Sequence, residues 1–154
     1  MIKVLFVCHG NICRSTMAEF VFKDMVKKQD LELQFHIASA GTSTEEIGNP
    51  VHYGTRDKLR EHGIDTAGKY AAQIKKSDYD KYDYILGMDK WNMKNMQSLF
   101  GTDKNSKVKL LLEYVGESTD IADPWYTGNF DETYYDVKRG CEALLAQITK
   151  EYNL

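Results

Sequence analysis

Apolar residues run almost without interruption through positions 2–7 of the chain, and polar residues begin soon after Cys8. An apolar run of this length, rich in β-branched and aromatic residues, is typical of a strand that is buried on both faces of a parallel sheet. From Ser15 onwards the spacing of Phe20, Val21 and Met25 becomes helical. The pattern therefore predicts a strand, a glycine-containing turn and a helix at the start of the chain.

Further strands and helices are predicted in alternation along the rest of the chain. Alternating apolar and polar positions predict a strand over 34–38, followed by a small polar loop over 39–44 and a helix over about 51–61. Apolar runs predict strands over 82–88 and 108–112, and Asp89 is expected to cap the helix between them. One apolar stripe at helical spacing marks the last helix: Phe130, Tyr134, Val137, Cys141, Leu144, Leu145, Ile148 and Tyr152.

Strands that alternate with helices imply an α/β fold, in which a four-stranded parallel sheet carries helices on both faces. A chain of 154 residues fits a single domain with one core. Ligands of such sheets bind outside the carboxyl ends of the strands, which is where Cys8 lies. We therefore expect one domain over residues 1–154, with its site after the first strand.

Composition and charge exclude several classes of function. The 20 basic and 23 acidic residues give a formal net charge of −3, which leaves no basic excess for a nucleic-acid footprint. No apolar segment approaches a membrane span, and residues 1–7 are too short for the apolar region of a signal peptide. Three cysteines indicate free thiols in a reducing compartment. We expect a cytoplasmic protein with no nucleic-acid or membrane partner, and signal-independent export would leave no trace here.

The turn after the first strand carries a thiol and a guanidinium group, at Cys8 and Arg14. Successive backbone N–H groups of a tight turn form an anion-binding nest, and the N-terminus of the next helix adds its dipole. The same field stabilises a thiolate, which is the nucleophilic form of cysteine. Arg14 can hold two phosphate oxygens with its planar fork, and Ser15 can donate its hydroxyl to the departing sulfur. These residues predict a phosphate-binding loop.

The alternative is that Cys8 is a buried core thiol and Arg14 a surface cation without a function. A cation at a helix N-terminus is electrostatically misplaced unless an anion lies beside it. The position of the motif directly after the first strand also favours a phosphate site over a chance match.

Thiolate attack on a phosphoester produces a leaving group that needs a proton, so a carboxylic acid is expected from another part of the chain. Asp123 is the best candidate, because it follows the fourth predicted strand in a loop that can overhang the same sheet edge. Pro124 would stiffen its backbone, and Trp125 and Tyr126 could enclose a flat phenyl ring. An Asp-Pro pair is otherwise a common structural turn.

The segment 7–15 (VCHGNICRS), followed by Met17, Ala18 and Glu19, resembles the opening of the low-molecular-weight protein tyrosine phosphatases. Residues 39–42, 62–64, 83–85, 88–89 and 123–126 match the later motifs of that family in the same order. The resemblance covers almost the entire chain. It implies a four-stranded parallel fold, hydrolysis without a metal or other cofactor, and a phosphocysteine intermediate.

The resemblance also implies roles for particular residues. Cys8 would be the nucleophile, Arg14 the phosphate clamp and Asp123 the general acid and base, while Ser39 would shape the loop as a partner of Asn11. The residues expected to bind substrate are His9, Gly10, Asn11, Ile12, Cys13, Ser15, Trp125 and Tyr126. The implied partners are a phosphotyrosine-containing protein as substrate and a cognate tyrosine kinase.

Several positions depart from the usual pattern of this family. Thr16 stands where proline is common, His9 where an apolar residue is common, and Gly68 where the family often has a histidine that supports the loop. Glu45 occupies a wall position that is aromatic in some members, and Trp125 replaces the more usual tyrosine. None of these changes removes a catalytic group, but they bear on which phosphorylated partner is preferred.

Two other enzyme classes share this scaffold. Thioredoxin-coupled arsenate reductases pass oxidation to later cysteines, but Cys141, the only late cysteine, lies on the apolar stripe of the last helix. Protein-arginine phosphatases carry a threonine in the loop that favours the guanidino phosphate, whereas Ile12 and the aromatic pair after Asp123 suit phosphotyrosine. Arginine phosphatase activity is the main alternative.

Two interpretations without catalysis also compete. A phosphate-binding module would need neither Cys8 nor Asp123, so the presence of both argues against it. A zinc site built from Cys8, Cys13, His9 and His36 would have a spacing that structural zinc sites rarely show. Cys13 is a candidate redox partner, because a reactive thiolate at Cys8 is the thiol that peroxide attacks first, and a Cys8–Cys13 disulfide would protect it. The alternative is that Cys13 only fills space beneath the loop.

Overall fold

The computed structural model describes all of residues 1–154. Its sheet consists of β1 (Ile2–Cys8), β2 (Phe35–Gly41), β3 (Tyr84–Gly87) and β4 (Val108–Leu110). The strands are all parallel and lie in the order β2-β1-β3-β4. Because β1 lies between β2 and β3, the loop that follows Cys8 emerges at the middle of the carboxyl edge.

Six α-helices connect and cover these strands: α1 (Arg14–Lys28), α2 (Tyr53–Arg60), α3 (Asp78–Lys81), α4 (Lys90–Phe100), α5 (Pro124–Thr127) and α6 (Phe130–Glu151). The predicted cap of α4 is present, since the Asp89 side chain accepts a hydrogen bond from the Asn92 N–H at 2.7 Å. Two short 3-10 helices, Glu32–Gln34 and Leu111–Val115, complete the structure.

The two faces of the sheet are covered by different helices. Val4 and Phe6 of β1 belong to the larger core, which includes α1 and α6, whereas Leu5 and Val7 point to a smaller core that includes Met96 of α4. Successive side chains of a strand point to opposite faces, so the continuous apolar run at the start of the chain serves both cores. The predicted four-stranded parallel sheet with helices on both faces is confirmed.

The loop predicted over 39–44 is wrong at its beginning, because β2 continues through Ser39 and Ala40 to Gly41, which pairs with Cys8. A Cβ atom on Gly41 would lie 2.8 Å from the carbonyl oxygen of His9. Small residues at this point therefore let β2 run close beside the loop that follows β1, and they are part of the strand rather than a sign of its end.

The fourth strand is shorter than its apolar run. It ends at Leu110, whose N–H donates to the Glu113 side chain at 2.5 Å, and residues 111–115 form a 3-10 helix. Leu111 and Leu112 are buried in the larger core from that helix. The strand predicted over 108–112 is therefore too long, because burial in the core, and not strand geometry, accounts for the second half of the apolar run.

The helices also differ from prediction in which side chains they bury. On α1 Phe20 and Met25 only border the core, and the buried apolar residues are Met17, Ala18, Val21, Phe22 and Val26. On α6 the stripe from Val137 to Ile148 is buried as predicted, but Tyr152 lies beyond the helix end and is 46% exposed. None of the helices combines the length and the apolar character needed to cross a membrane.

Candidate active site

The loop formed by residues 9–13 connects β1 to α1 at the carboxyl edge of the sheet. Neighbouring segments hold its carbonyl groups: the Ser43 N–H donates to the His9 carbonyl at 3.0 Å, and the His52 N–H to the Ile12 carbonyl at 2.9 Å. None of the N–H groups of residues 9–14 donates to another backbone group. Unpaired amides in a turn that leads into a helix are the donors that an anion-binding nest requires.

Cys8 ends β1 at the base of this loop and is only 3% exposed. Its Sγ atom lies 3.0 Å from the Oγ atom of Ser15, which is buried in the first turn of α1. A hydroxyl at this distance can donate to a thiolate, so the sulfur has a hydrogen-bond partner on the side away from the pocket.

Asn11 adopts a left-handed backbone conformation, with φ of 60°. Its Nδ2 atom donates to Ser15 Oγ at 2.8 Å and to Ser39 Oγ at 2.9 Å, and its Oδ1 atom accepts from the Ala72 N–H at 3.0 Å. The side chains of Asn11 and Ser15 therefore lie beneath the loop and not in the pocket. The contact expected between Asn11 and Ser39 is present, and it ties the loop to β2.

Arg14 begins α1 and is 3% exposed. Its Nη1 atom donates to Asp89 Oδ2 at 2.7 Å and to the Ile121 carbonyl at 3.0 Å, and its Nη2 atom donates to Asp123 Oδ2 at 3.4 Å. Burial alone lowers the pKa of Arg14, but the charges of Cys8, Asp123 and Asp89 outweigh it and raise that pKa above its ordinary value. The guanidinium group is thus a fixed cation next to Cys8 and Asp123.

Asp123 precedes the short helix α5, with Pro124 as the first helical residue. Its Oδ1 atom accepts from the Trp125 N–H at 3.0 Å, and Oδ2 faces Arg14. The neighbouring Asp120, the other acid of this segment, instead accepts from the Lys90 N–H at 2.9 Å and is outside the pocket. Of the two carboxyl groups, only Asp123 can reach a group bound at Cys8.

A single pocket brings these groups together. It is lined by Cys8, His9, Gly10, Ile12, Cys13, Arg14, Glu45, Glu46, Asp123, Trp125 and Tyr126. At its mouth the His9 Nε2 atom lies 3.1 Å from Glu45 Oε2, and both side chains are exposed. Trp125 and Tyr126, which also line the pocket, are 58% and 83% exposed, and this leaves two aromatic surfaces free for a flat ligand.

Cys13, the other thiol of the loop, lies close to Cys8 in the pocket wall. Burial, reinforced by the charges of Cys8 and Asp123, raises the pKa of Cys13 to about 12. At neutral pH Cys13 is therefore a protonated thiol, which is a poor nucleophile.

The structure bears on two of the competing interpretations. Cys141 is fully buried in α6, with its Sγ atom 3.8 Å from the Ala18 carbonyl, and burial raises its pKa. It cannot take part in a relay of thiols without unfolding of the core. His36, the distant member of the zinc hypothesis, stacks on Tyr82, and nowhere do three or more His, Cys, Asp or Glu side chains form a group that could hold a metal ion.

Three contributors to the site were not predicted as such. Asp89 was expected only as a helix cap, but its second oxygen holds Arg14. The Ile121 carbonyl also holds Arg14, and Glu46 lines the pocket beside Glu45. Asp89 follows β3 at the same sheet edge as Cys8, so its position relative to the strands was a signal that could have found it.

His52, for which the sequence suggested no catalytic role, caps α2 through its Nδ1 atom. Its ring lies 5.5 Å from those of Trp125 and Phe130, and burial lowers its pKa. Because the His52 N–H also binds the loop at Ile12, this residue connects the phosphate-binding loop to the aromatic wall. It acts as a structural contact between two sides of the pocket.

Comparison with known proteins agrees with this geometry. The family model described as low molecular weight phosphotyrosine protein phosphatase matches residues 3–154. The low molecular weight protein-tyrosine-phosphatase YfkJ of Bacillus subtilis is 48% identical over 156 residues, which cover all of both chains. The crystal structure of YfkJ superposes with a TM-score of 0.94 at 49% identity, covering 98% of this chain and 96% of that one.

Two further solved structures are informative. The low molecular weight protein tyrosine phosphatase of Streptococcus pyogenes has a TM-score of 0.85 at 43% identity, covering 99% of this chain and 97% of that one. An arginine phosphatase of Drosophila has a TM-score of 0.86 at 30% identity, covering 96% of this chain and 98% of that one. The same fold thus carries proteins named for two different phosphorylated residues.

Proposed function

This chain belongs to the low molecular weight phosphotyrosine protein phosphatase family, and on that premise we propose that Cys8, Arg14 and Asp123 carry out its reaction. It is a protein tyrosine phosphatase, a cysteine-dependent hydrolase that acts on phosphoproteins. The assignment of residues is supported by the site itself. We assign the catalytic domain to the whole of residues 1–154.

The observation that carries this assignment is the arrangement around Arg14. A buried guanidinium group contacts the carboxylate of Asp123 at 3.4 Å and lies in one pocket with the Cys8 thiol, below amides that have no backbone partner. A phosphate group in this pocket would meet a nucleophile, a cation, an array of N–H donors and an acid. Each of these groups acts on a different atom of a phosphate ester.

In the first step the Cys8 thiolate attacks phosphorus in line with the ester oxygen. The S–P bond forms while the P–O bond breaks, and protonated Asp123 gives its proton to the departing phenolate. Arg14 and the loop amides hold the equatorial oxygens as charge shifts among them. Asp89 and the Ile121 carbonyl keep the guanidinium group in place, because both accept hydrogen bonds from its Nη1 atom.

In the second step water attacks the phosphocysteine. Asp123, now a carboxylate, takes the proton from this water as the O–P bond forms and the S–P bond breaks. The sulfur departs as a thiolate, and the Ser15 hydroxyl, 3.0 Å away, donates to it. Inorganic phosphate then leaves, and Asp123, which has taken the proton of the water, is again in the acid form that the next cycle requires.

The walls of the pocket favour an aryl phosphate. Ile12 presents an apolar side chain, and Trp125 and Tyr126 offer exposed ring surfaces in the same pocket. A phosphotyrosine ring can bury its faces there, whereas a phosphoarginine would place a polar guanidino group against the same surfaces. Phosphotyrosine proteins are thus the proposed substrates, with a tyrosine kinase as the source of their phosphate.

Phosphoarginine is the second candidate substrate, since the fold is shared with an arginine phosphatase and the carboxylates Glu45 and Glu46 line the entrance. We expect phosphotyrosine peptides to be hydrolysed with a kcat/KM at least about tenfold above that of matched phosphoarginine peptides. Release of phosphate from both, in the presence of a metal chelator, measures this ratio. A ratio below one would assign the protein to the arginine branch, and loss of all activity with the chelator would refute hydrolysis without a metal.

Cys13 is proposed to protect the nucleophile from oxidation. Peroxide would convert the Cys8 thiolate to a sulfenic acid, and the Cys13 thiol would attack that sulfur, forming a disulfide and releasing water. We expect dithiothreitol to restore activity to the peroxide-treated wild type and to restore much less to Cys13→Ser, in which Cys8 oxidises further. Untreated Cys13→Ser is the control for the activity of the variant itself. Equal recovery of activity in the wild type and the variant would exclude this role.

A further inference from the structure

A carboxylate is buried directly beneath the phosphate-binding loop. Glu19 of α1 is 3% exposed, and its Oε1 atom accepts a hydrogen bond from Ser39 Oγ at 2.5 Å. Two ammonium groups lie beside it: the Nζ atom of Lys23 is 2.5 Å from Oε2, and that of Lys69 is 3.5 Å from Oε1. A carboxylate removed from water requires such partners, because an unpaired buried charge is strongly unfavourable.

The two lysines are not equivalent. Lys23 is on the same helix as Glu19, its side chain is 43% exposed, and Glu19 is its only hydrogen-bond partner. Lys69 comes from a loop far along the chain, its side chain is 15% exposed, and its Nζ atom also donates to the Ser39 carbonyl at 2.9 Å. Lys69 thus holds Ser39 directly through the backbone and indirectly through Glu19.

The Glu19 carboxylate determines the direction of the hydrogen bonds that lead to the nucleophile. Because it can only accept, the single hydroxyl hydrogen of Ser39 is committed to it, and the Ser39 oxygen is left to accept from Asn11 Nδ2. The second Nδ2 hydrogen of Asn11 is donated to Ser15 Oγ. The Ser15 hydroxyl hydrogen is then free to be donated to Cys8 Sγ. Each donor hydrogen in the series therefore has its own acceptor, and no two donors face each other.

The same series supports the loop backbone. Asn11 has φ of 60°, a region that residues other than glycine rarely occupy and that needs surrounding contacts to be maintained. Its side chain is fixed by Ser15, Ser39 and the Ala72 N–H. A shift of Ser39 would therefore move Asn11, and with it the amides that receive phosphate.

We propose that Lys69 is a positioning residue for the phosphatase reaction, which acts through Glu19, Ser39, Asn11 and Ser15 on the thiolate of Cys8. The neighbouring Gly68 has no side chain that could do this, and Lys69 is the only cation that contacts both Glu19 and the Ser39 carbonyl. This inference rests on the function proposed above for Cys8. The effect of Lys69 is expected only on the Cys8 sulfur and the loop, because Lys69 does not line the pocket and cannot contact the substrate there.

The test compares Lys69→Met with Lys69→Arg and with Lys23→Met. We expect Lys69→Met to lower kcat for p-nitrophenyl phosphate by about tenfold while KM changes less than about twofold. The pH midpoint for alkylation of Cys8 by iodoacetate should rise by about one unit, because the thiolate loses its ordered donor. Lys69→Arg should restore at least about half of kcat, and Lys23→Met should change kcat by less than about twofold, since it keeps the Ser39 contact.

Ile148→Val, a core change in α6 far from the loop, controls for loss of stability. If it lowers the melting temperature as much as Lys69→Met and also lowers kcat equally, Lys69 has only a structural role. A Lys69→Met protein with unchanged kcat and alkylation midpoint would likewise overturn the proposal. Because alkylation is measured without substrate, this failure is distinct from a failure of the proposed function, in which the wild type itself would show no hydrolysis.

Discussion

Replacing Cys8 with serine is expected to lower turnover of p-nitrophenyl phosphate by about 10⁴-fold or more. A serine hydroxyl stays protonated at neutral pH, and the group beside it, Ser15 Oγ, offers a hydrogen-bond donor rather than a base. The loop amides and Arg14 stabilise an anion that a serine does not provide. Steady-state kinetics under reducing conditions measures the loss, with the wild type assayed beside the variant.

Two measurements make the result of Cys8→Ser specific. The variant should still bind vanadate or inorganic phosphate, because Arg14 and the loop amides remain, and titration calorimetry would show this. Cys141→Ala is the matched control, since it removes a buried thiol that lies in α6 and outside the pocket, and it should keep full turnover. Turnover by Cys8→Ser within about tenfold of wild type would assign the attack on phosphorus to another group.

Replacing Asp123 with asparagine should lower hydrolysis of phenyl phosphate and phosphotyrosine by about 10²- to 10³-fold. Asparagine can still cap α5, as Asp123 does through the Trp125 N–H, but it cannot give a proton to the leaving oxygen. An activated aryl phosphate needs that proton less. The loss on 2,4-dinitrophenyl phosphate should therefore stay within about tenfold in the first step.

The dependence on pH provides a second test of Asp123. Activity of the wild type should fall on the alkaline side as the acid loses its proton, and this fall should disappear in Asp123→Asn. Asp120→Asn is the control, because Asp120 accepts from the Lys90 N–H and lies outside the pocket. If Asp120→Asn loses activity on poor leaving groups while Asp123→Asn does not, the acid has been assigned to the wrong residue.

The opening of the chain could be predicted in detail because its structure is encoded locally. The apolar run of β1, the glycine-bearing turn and the start of α1 follow from neighbouring residues, and Cys8 and Arg14 fall on one short loop. Asp123 could be proposed from chemistry alone, since attack by a thiolate requires an acid elsewhere. The structure places it 3.4 Å from Arg14, across 109 positions of sequence.

Errors arose where local pattern and long-range contact disagree. Gly41 indicated a loop by composition, yet it is part of β2, because close approach to the His9 carbonyl requires a residue without a side chain. Leu111 and Leu112 indicated a strand, yet they enter the core from a 3-10 helix. In both cases burial or small size had a tertiary cause that periodicity cannot distinguish from secondary structure.

The sequence by itself determined the fold class and the family resemblance, and it was enough to propose which thiol, guanidinium group and acid carry out the reaction. Only the tertiary structure decided what surrounds these groups. It places Asp89 where it accepts a hydrogen bond from Arg14, Lys69 in contact with Ser39, and the Asn11 side chain beneath the loop. These contacts join segments 28 to 75 positions apart. They depend on which strands lie beside β1, and no local pattern of apolar and polar residues specifies that order.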